Sequence, residues 1–196
     1  MRLYHTRGSR SGRVLWLLEE IGEPYDVTLV PRDAKQSEAH LARHPLGRVP
    51  VVEDDEGYLF ESAALCLHIA DLHPDAGLIP PVGTHDRALV YQWVLFAMTE
   101  LETAVVDAVM SGDDEARTAR GRARFRETVP VVEDTLDGKQ FLVGDRFTVA
   151  DLVLGGVLSF GSRGGLLEGF PRCQAYEERL RGRDAWNRAA AVGKPS

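Results

Sequence analysis

The sequence predicts a small α/β domain followed by an all-α, helical one. Three observations carry that reading. As far as Leu72 the apolar pattern switches between strand-like and helix-like segments in the order β-α-β-α-β-β-α. The stretch Leu78-Ile79-Pro80-Pro81-Val82-Gly83 then punctuates the chain. Beyond it, the apolar positions recur at helical spacing. The expected organisation is a first domain over residues 1–77, a linker over 78–85 and a helical domain over 86–196.

Residues 2–5 precede the loop Thr6–Gly12 and read as a short strand. Val14, Leu15, Leu17, Leu18 and Ile21 fall on a helix, with Glu19 and Glu20 outside and Gly22 as the stop. Pro24 to Val30 reads as a second strand, and Asp33 to Arg43 as a short polar helix. Val49–Val52 and Tyr58–Phe60 are two strands joined by the acidic turn Glu53–Gly57. Leu65, Ile69 and Leu72 mark one helix face, ended by His73-Pro74. A helix between the first two strands implies a parallel pair, and the tight turn an antiparallel hairpin. In the second half, Leu89, Trp93, Phe96, Leu101 and Val105 predict a long helix over 86–110. Further helices are expected over Ala116–Leu136 and Val149–Leu158, and a last one starts at Ala175–Leu180. The glycine-bearing segment Ser159–Gly165 reads as an interhelical loop. The hexapeptide Val-Pro-Val-Val-Glu-Asp occurs at 49–54 and again at 129–134. Its surroundings make the first copy a strand and the second a helix kinked at Pro130.

At 196 residues, with 44% hydrophobic, 27% charged and 8% aromatic residues, the composition is that of a globular protein. Collagen-like, disordered and disulfide-scaffold classes are excluded. No apolar run approaches the ~18 residues of a bilayer span, and the start lacks the apolar stretch of a secretory signal. The two cysteines, Cys66 and Cys173, have no CxxC spacing, which points to a reducing, cytoplasmic compartment. The histidines show no HExxH pattern, so no metal site is expected. A net charge of −7 argues against nucleic acid or an anionic membrane as partner. Yet Arg2, Arg7, Arg10 and Arg13 crowd an N-terminus without acids. They form either a solvated stretch or a cationic pocket for a small anionic ligand.

Three short segments carry candidate chemistry. Arg7-Gly8-Ser9-Arg10-Ser11-Gly12 lies between a strand and a helix start, where free amides and the helix dipole favour an anion. Its serines serve either a ligand or the helix cap; no Walker or GxGxxG spacing follows. In Pro45-Leu46-Gly47-Arg48-Val49-Pro50 the residues alone favour an ordinary trans turn. A cis bond would instead turn the Val49 amide and carbonyl outward towards an extended peptide. Ser62 of Glu61-Ser62 reads as a helix N-cap. Alternatively its amide and hydroxyl hold a carboxylate while Glu61 pairs with an ammonium, a grip suited to an α-amino-acid head.

Taken in order, Ser9-Arg10-Ser11 ahead of Arg13-Val14-Leu15-Trp16-Leu17-Leu18-Glu19-Glu20, then Gly47-Arg48-Val49-Pro50, Glu61-Ser62-Ala63-Ala64 and Phe147-Thr148-Val149-Ala150-Asp151 resemble a bacterial glutathione S-transferase. The resemblance runs from Met1 to about Trp186. It implies a thioredoxin-like first domain, a helical second domain carrying the second-substrate side, and a homodimer. Glutathione would be the co-substrate, with no other cofactor. It further implies a cis Pro50, Val49 pairing with the cysteinyl backbone, and Glu61 and Ser62 as γ-glutamyl anchors. Arg48 and Lys35 would hold the glycine carboxylate, with Arg10 also beside the ligand. Thr148 and Asp151 resemble the family's N-capping box, a folding element. The chain departs from the family at the catalytic position. Gly8 stands where several classes have serine, Arg10 where the bacterial beta class has cysteine, and the loop holds no tyrosine. Ser9 is therefore the first catalytic candidate and Ser11 the second. The implied activity is attack of a glutathione thiolate on small, largely apolar electrophiles, lying against the start of the 86–110 helix. Alternatives are a glutathione-dependent isomerase, to which the Ser-x-Ser-x-Arg-Val run is similar, a disulfide reductase, or a non-catalytic adaptor of the same fold.

Overall fold

The structure, a computed structural model, describes residues 1–194; the expected domain end at Ser196 lies outside the described residues. The chain forms two compact units. One comprises Met1–Ala76 together with the segment from Arg183 onward, the other Gly77–Gly182.

The first unit begins with β1 (Arg2–His5), α1 (Ser11–Ile21) and β2 (Asp26–Leu29). A 3-10 turn at Asp33–Gln36, α2 (Glu38–Leu41), β3 (Val51–Glu53), β4 (Tyr58–Phe60) and α3 (Ser62–Leu72) complete it in sequence. The sheet order is β2-β1-β3-β4, parallel between β1 and β2 and antiparallel elsewhere, with Leu3 opposite both Val27 and Val52. This is the thioredoxin-like arrangement. α1 forms because Val14, Leu15, Trp16, Leu17 and Leu18 all bury. It stops because Gly22 adopts φ 79° and returns its amide to the Leu18 carbonyl.

Several boundaries move from those expected. The second strand starts at Asp26 rather than Pro24, since a proline has no N–H for the ladder. The single helix expected over 33–43 is broken at Ser37, which turns extended (ψ 148°) so that its hydroxyl caps the His40 amide. Ser62 is not the cap of α3 but its first helical residue; Glu61 occupies the cap position.

In the second unit, α4 (His85–Phe96) continues through a π-turn at Ala97–Leu101 into α5 (Glu102–Val109). By length and composition this run could cross a membrane, but Val90, Trp93, Val94, Ala97 and Leu101 are buried within the protein. α6 (Glu115–Thr135) contains Pro130, so the second copy of the hexapeptide is helical. α7 spans Val149–Arg163 and α8 Pro171–Arg181. The loop expected at Ser159–Gly165 is thus mostly helix. A Cβ on Gly161 would make only ordinary contact with Val105 and Leu166, whereas one on Gly164 would lie 2.5 Å from Val109, so Gly164 is the glycine that packing uses. Nor is the 78–85 segment a free tether. Leu78, Ile79 and Pro80 are buried, Leu78 accepts a bond from the Val149 amide (2.9 Å), and Pro80 accepts one from Arg87 (2.7 Å).

A further helix, α9 (Asp184–Ala191), follows α8 and belongs to the first unit rather than to the helical domain expected over 86–196. Trp186 packs edge-on against Trp16 at 4.8 Å. Arg183 makes a bidentate pair with Glu20 (2.6 and 2.8 Å), and Arg188 bonds Glu19 (2.7 Å).

α8 has no capping side chain of its own. The Glu133 carboxylate on α6 instead accepts the amides of Arg172 and Cys173, both at 2.9 Å. Burial pushes this carboxyl up, but the two amides and the Arg172 charge outweigh it, so the pKa lies below the usual glutamate value. A depressed pKa stabilises the fold above the ordinary glutamate range and loses that contribution as pH falls through the folded value. Glu133→Gln is expected to cost about 1 kcal/mol at neutral pH. In urea titrations at stepped pH the gap to the parent should close below about pH 4; a constant gap would refute the assignment.

Candidate active site

The loop between β1 and α1 folds onto its own carbonyl. Ser9 Oγ donates to the Thr6 carbonyl (2.7 Å), lies 2.7 Å from Ser11 Oγ and accepts the Ser11 amide (3.3 Å). Ser11 Oγ accepts the Thr6 amide (3.2 Å) and lies 2.8 Å from His5 Nδ1. The two serines differ in access. Ser11 has no exposed surface, whereas Ser9 is partly exposed at the N-terminal end of α1. Ser11, the second catalytic candidate, therefore has no face through which to touch a ligand. Arg10 is exposed immediately before the helix.

The Val49–Pro50 bond is cis, contrary to the ordinary trans turn that the residues alone favour. Val49 stands ahead of the registered pairs of β3, so its main chain lies outside that ladder. The preceding turn depends on Gly47 at φ 58°, where a Cβ would lie 2.4 Å from the Lys35 carbonyl. Only glycine passes there, because the Lys35 main chain lies against the turn. Buried His40 donates from Nε2 to the Arg48 carbonyl (3.0 Å), fixing the turn from the α2 side. Burial, with Arg32 adding to it, lowers the Lys35 pKa.

Glu61 has φ 73°, the one positive value outside glycine among the described residues. Such backbone costs roughly 1–3 kcal/mol and concentrates at ligand-holding positions. Its side chain is exposed, directly before the first turn of α3, whose amides lack helical acceptors. Ser62 is 2% exposed. Arg13 Nη1 donates to its hydroxyl at 3.4 Å, so the Ser62 hydrogen remains available to a ligand. His44, its ring tilted against Phe60 with centroids 4.6 Å apart, joins this corner to the Arg48 turn. Burial lowers the His44 pKa, opposed by the Glu61 charge and reinforced by His40 and Arg48.

The first unit thus sets the Lys35 main chain against Gly47, at the head of the Arg48–Pro50 turn, and joins Ser62 to α1 through Arg13. The sequence reading missed His5 and His40, and it placed Arg13 in the arginine cluster without its link to Ser62; their partners stand 6, 8 and 49 positions away. Among the described residues no group of three histidine, cysteine or acidic side chains could hold a metal ion.

A thioredoxin-like unit with a cis-proline turn, a helix-start serine loop and a helical second unit defines a class of thiol-handling proteins. Residues 1–71 match the glutathione S-transferase N-terminal domain, and residues 115–179 match the C-terminal domain. The chain is 28% identical over 185 residues to glutathione S-transferase GstA of Escherichia coli O157:H7, covering 92% of each. It is 34% identical over 195 residues to the maleylacetoacetate isomerase of Rhizobium meliloti (strain 1021), covering 93% of this chain and 92% of that one. A solved sphingomonad glutathione S-transferase complexed with glutathione superposes with a TM-score of 0.88 at 27% identity, over 97% of both chains. The chain belongs to the glutathione S-transferase family, enzymes that use glutathione as co-substrate.

Proposed function

We propose that the chain binds glutathione in its first unit and activates the thiol for attack on small, largely apolar electrophiles. The observation that carries the reading is Ser9, the loop hydroxyl with surface at the N-terminal end of α1. A free thiol has a pKa near ~8.5, so little is ionised at neutral pH. Ser9 swings its hydrogen from the Thr6 carbonyl to the sulfur; the helix end and Arg10 add positive potential. A hydrogen bond to a charged acceptor is worth roughly 1.5–3 kcal/mol, or about 10- to 100-fold in ionised thiol. Val49 pairs with the cysteinyl main chain, Glu61 takes the γ-glutamyl ammonium and Ser62 its carboxylate. Lys35 and Arg48 take the glycine carboxylate. With glutathione and an apolar electrophile at neutral pH, Ser9→Ala should lower kcat/KM about 10- to 100-fold. Unchanged turnover would assign the role elsewhere.

A second reading, glutathione-dependent cis–trans isomerisation, is favoured by the identity to the isomerase of Rhizobium meliloti. Turnover of a maleyl substrate exceeding that of any electrophile would put it first. The free, buried Cys66 and Cys173 support a cytoplasmic setting. We also infer a homodimer, supported by the exposed run Tyr58, Leu59 and Phe60 on edge strand β4. Sedimentation should give twice the chain mass; a monomer at micromolar concentration would refute it.

A further inference from the structure

The serine loop contains more short hydrogen-bond links than its hydroxyls can supply with hydrogens. Three links are short: Ser9 to the Thr6 carbonyl (2.7 Å), Ser9 to Ser11 (2.7 Å), and Ser11 to His5 Nδ1 (2.8 Å). A further approach, Ser11 to the Thr6 carbonyl, is long at 3.3 Å. Each hydroxyl has one hydrogen to give, and the Thr6 carbonyl has none. If His5 Nδ1 were bare, two hydrogens would have to serve three links, and one pair of electronegative atoms would face each other unbridged. With a hydrogen on Nδ1 every link is filled in a single direction. His5 donates to Ser11, Ser11 to Ser9, and Ser9 to the Thr6 carbonyl.

We propose that His5 is a positioning residue for the thiolate, donating from Nδ1 through Ser11 so that the Ser9 hydrogen is the one left to face the sulfur. The inference rests on the reading of Ser9 as thiolate donor and extends it inward. In the chain of donors, only the last has surface. His5 is 3% exposed, Ser11 fully buried and Ser9 partly exposed. When sulfur replaces the Thr6 carbonyl as acceptor, only the final hydrogen turns. The two upstream bonds stay in place and polarise Ser9, as aligned hydrogen bonds strengthen one another by about 10–30% each. Arg7 is the charged group that bears on the ring. Burial first, and Arg7 second, lower the His5 pKa, which favours the neutral ring in which the tautomer matters. Protonation would leave the Nδ1 hydrogen where it is, so the direction of the chain does not depend on it.

The first test needs no variant. Long-range proton–nitrogen NMR of the histidine rings in the parent protein should show His5 protonated at Nδ1; a bare Nδ1 overturns the proposal. The second follows ultraviolet absorption of glutathione thiolate bound to the protein as pH is varied. Both His5→Leu and Ser11→Ala should raise the bound-thiol pKa by up to about half a pH unit. The double variant should raise it no further than Ser11→Ala alone, because both act on one chain. His5→Asn, which keeps an N–H donor, should restore the parent value. A structural role would change thermal stability and glutathione affinity while leaving the thiol pKa in place, and that result also overturns the proposal. Ser9→Ala separates the two readings. If it leaves the thiol pKa unchanged, Ser9 is not the donor and the proposal falls with that reading. If it raises the pKa while His5→Leu does not, only the relay from His5 is lost.

Discussion

Glu61→Ala combined with Ser62→Ala should weaken glutathione binding more than 100-fold, read as heat on titration into the purified protein. On the proposed binding mode each side chain would meet one charge of the γ-glutamyl head, and a hydrogen bond to a charged group is worth roughly 1.5–3 kcal/mol. The single variants should each lose about 10-fold or more. Stability should move the other way for Glu61→Gly. That variant removes the cost of φ 73° on a side-chain-bearing residue and should raise the melting temperature as affinity disappears. Parent-like heats in the double variant would displace the anchor, and no heat for the parent at millimolar glutathione would put the adaptor reading first.

Asp151→Ala should cost about 3–5 kcal/mol of stability, or roughly 6–20 °C in melting temperature. The Asp151 carboxylate accepts the Thr148 amide (2.8 Å) and hydroxyl (3.0 Å), the Leu142 amide (2.9 Å) and the Tyr176 hydroxyl (2.8 Å). Thr148 and Asp151 complete a capping box at the start of α7, as the resemblance implies. Removing the carboxylate strands buried donors on three residues, of which Thr148 is fully buried and Tyr176 1% exposed. Asp151→Asn should lose less, since one oxygen remains for Leu142 and Tyr176 while an NH2 group faces the Thr148 amide. Burial, opposed by those four donors, pushes the carboxyl above the usual aspartate value. The folded state then binds this proton more readily than the unfolded chain, so acid does not loosen the cap. Acid loosens Glu133 instead. A loss below about 1 kcal/mol for Asp151→Ala in thermal or urea unfolding would show that α7 starts without the box.

The sequence makes legible whatever is carried by neighbours in the chain. The five apolar residues at 14–18, the acidic turn of the hairpin and the helical second half need no distant partner to be seen. Glu61-Ser62 and the Val49-Pro50 turn were visible as motifs, but their backbone states were not. Cis Pro50 and φ 73° at Glu61 are chosen by the surrounding packing, and only the family resemblance pointed to the former. Arg13 reads as one of four crowded arginines, in a solvated stretch or a cationic pocket; it is 7% exposed and donates to Ser62, 49 positions on. His5 reads as a strand residue, because nothing in Leu3-Tyr4-His5 indicates a serine six positions on that returns to its ring. α9 escaped for another reason. Trp186 is the one large apolar side chain on this helix, and the buried positions beside it, Ala185 and Ala189, are too small to mark a core face.

The return of α9 to α1 also has a bearing on synthesis. The second unit is one uninterrupted stretch of chain, complete once Gly182 has been added, whereas the first is split around it. A nascent chain halted anywhere before Arg183 has every residue of its second unit but lacks the guanidinium that clasps Glu20 and the indole that covers Trp16. The part of the protein made first is therefore the part finished last, and the thioredoxin-like unit cannot be completed on the ribosome ahead of the helical one.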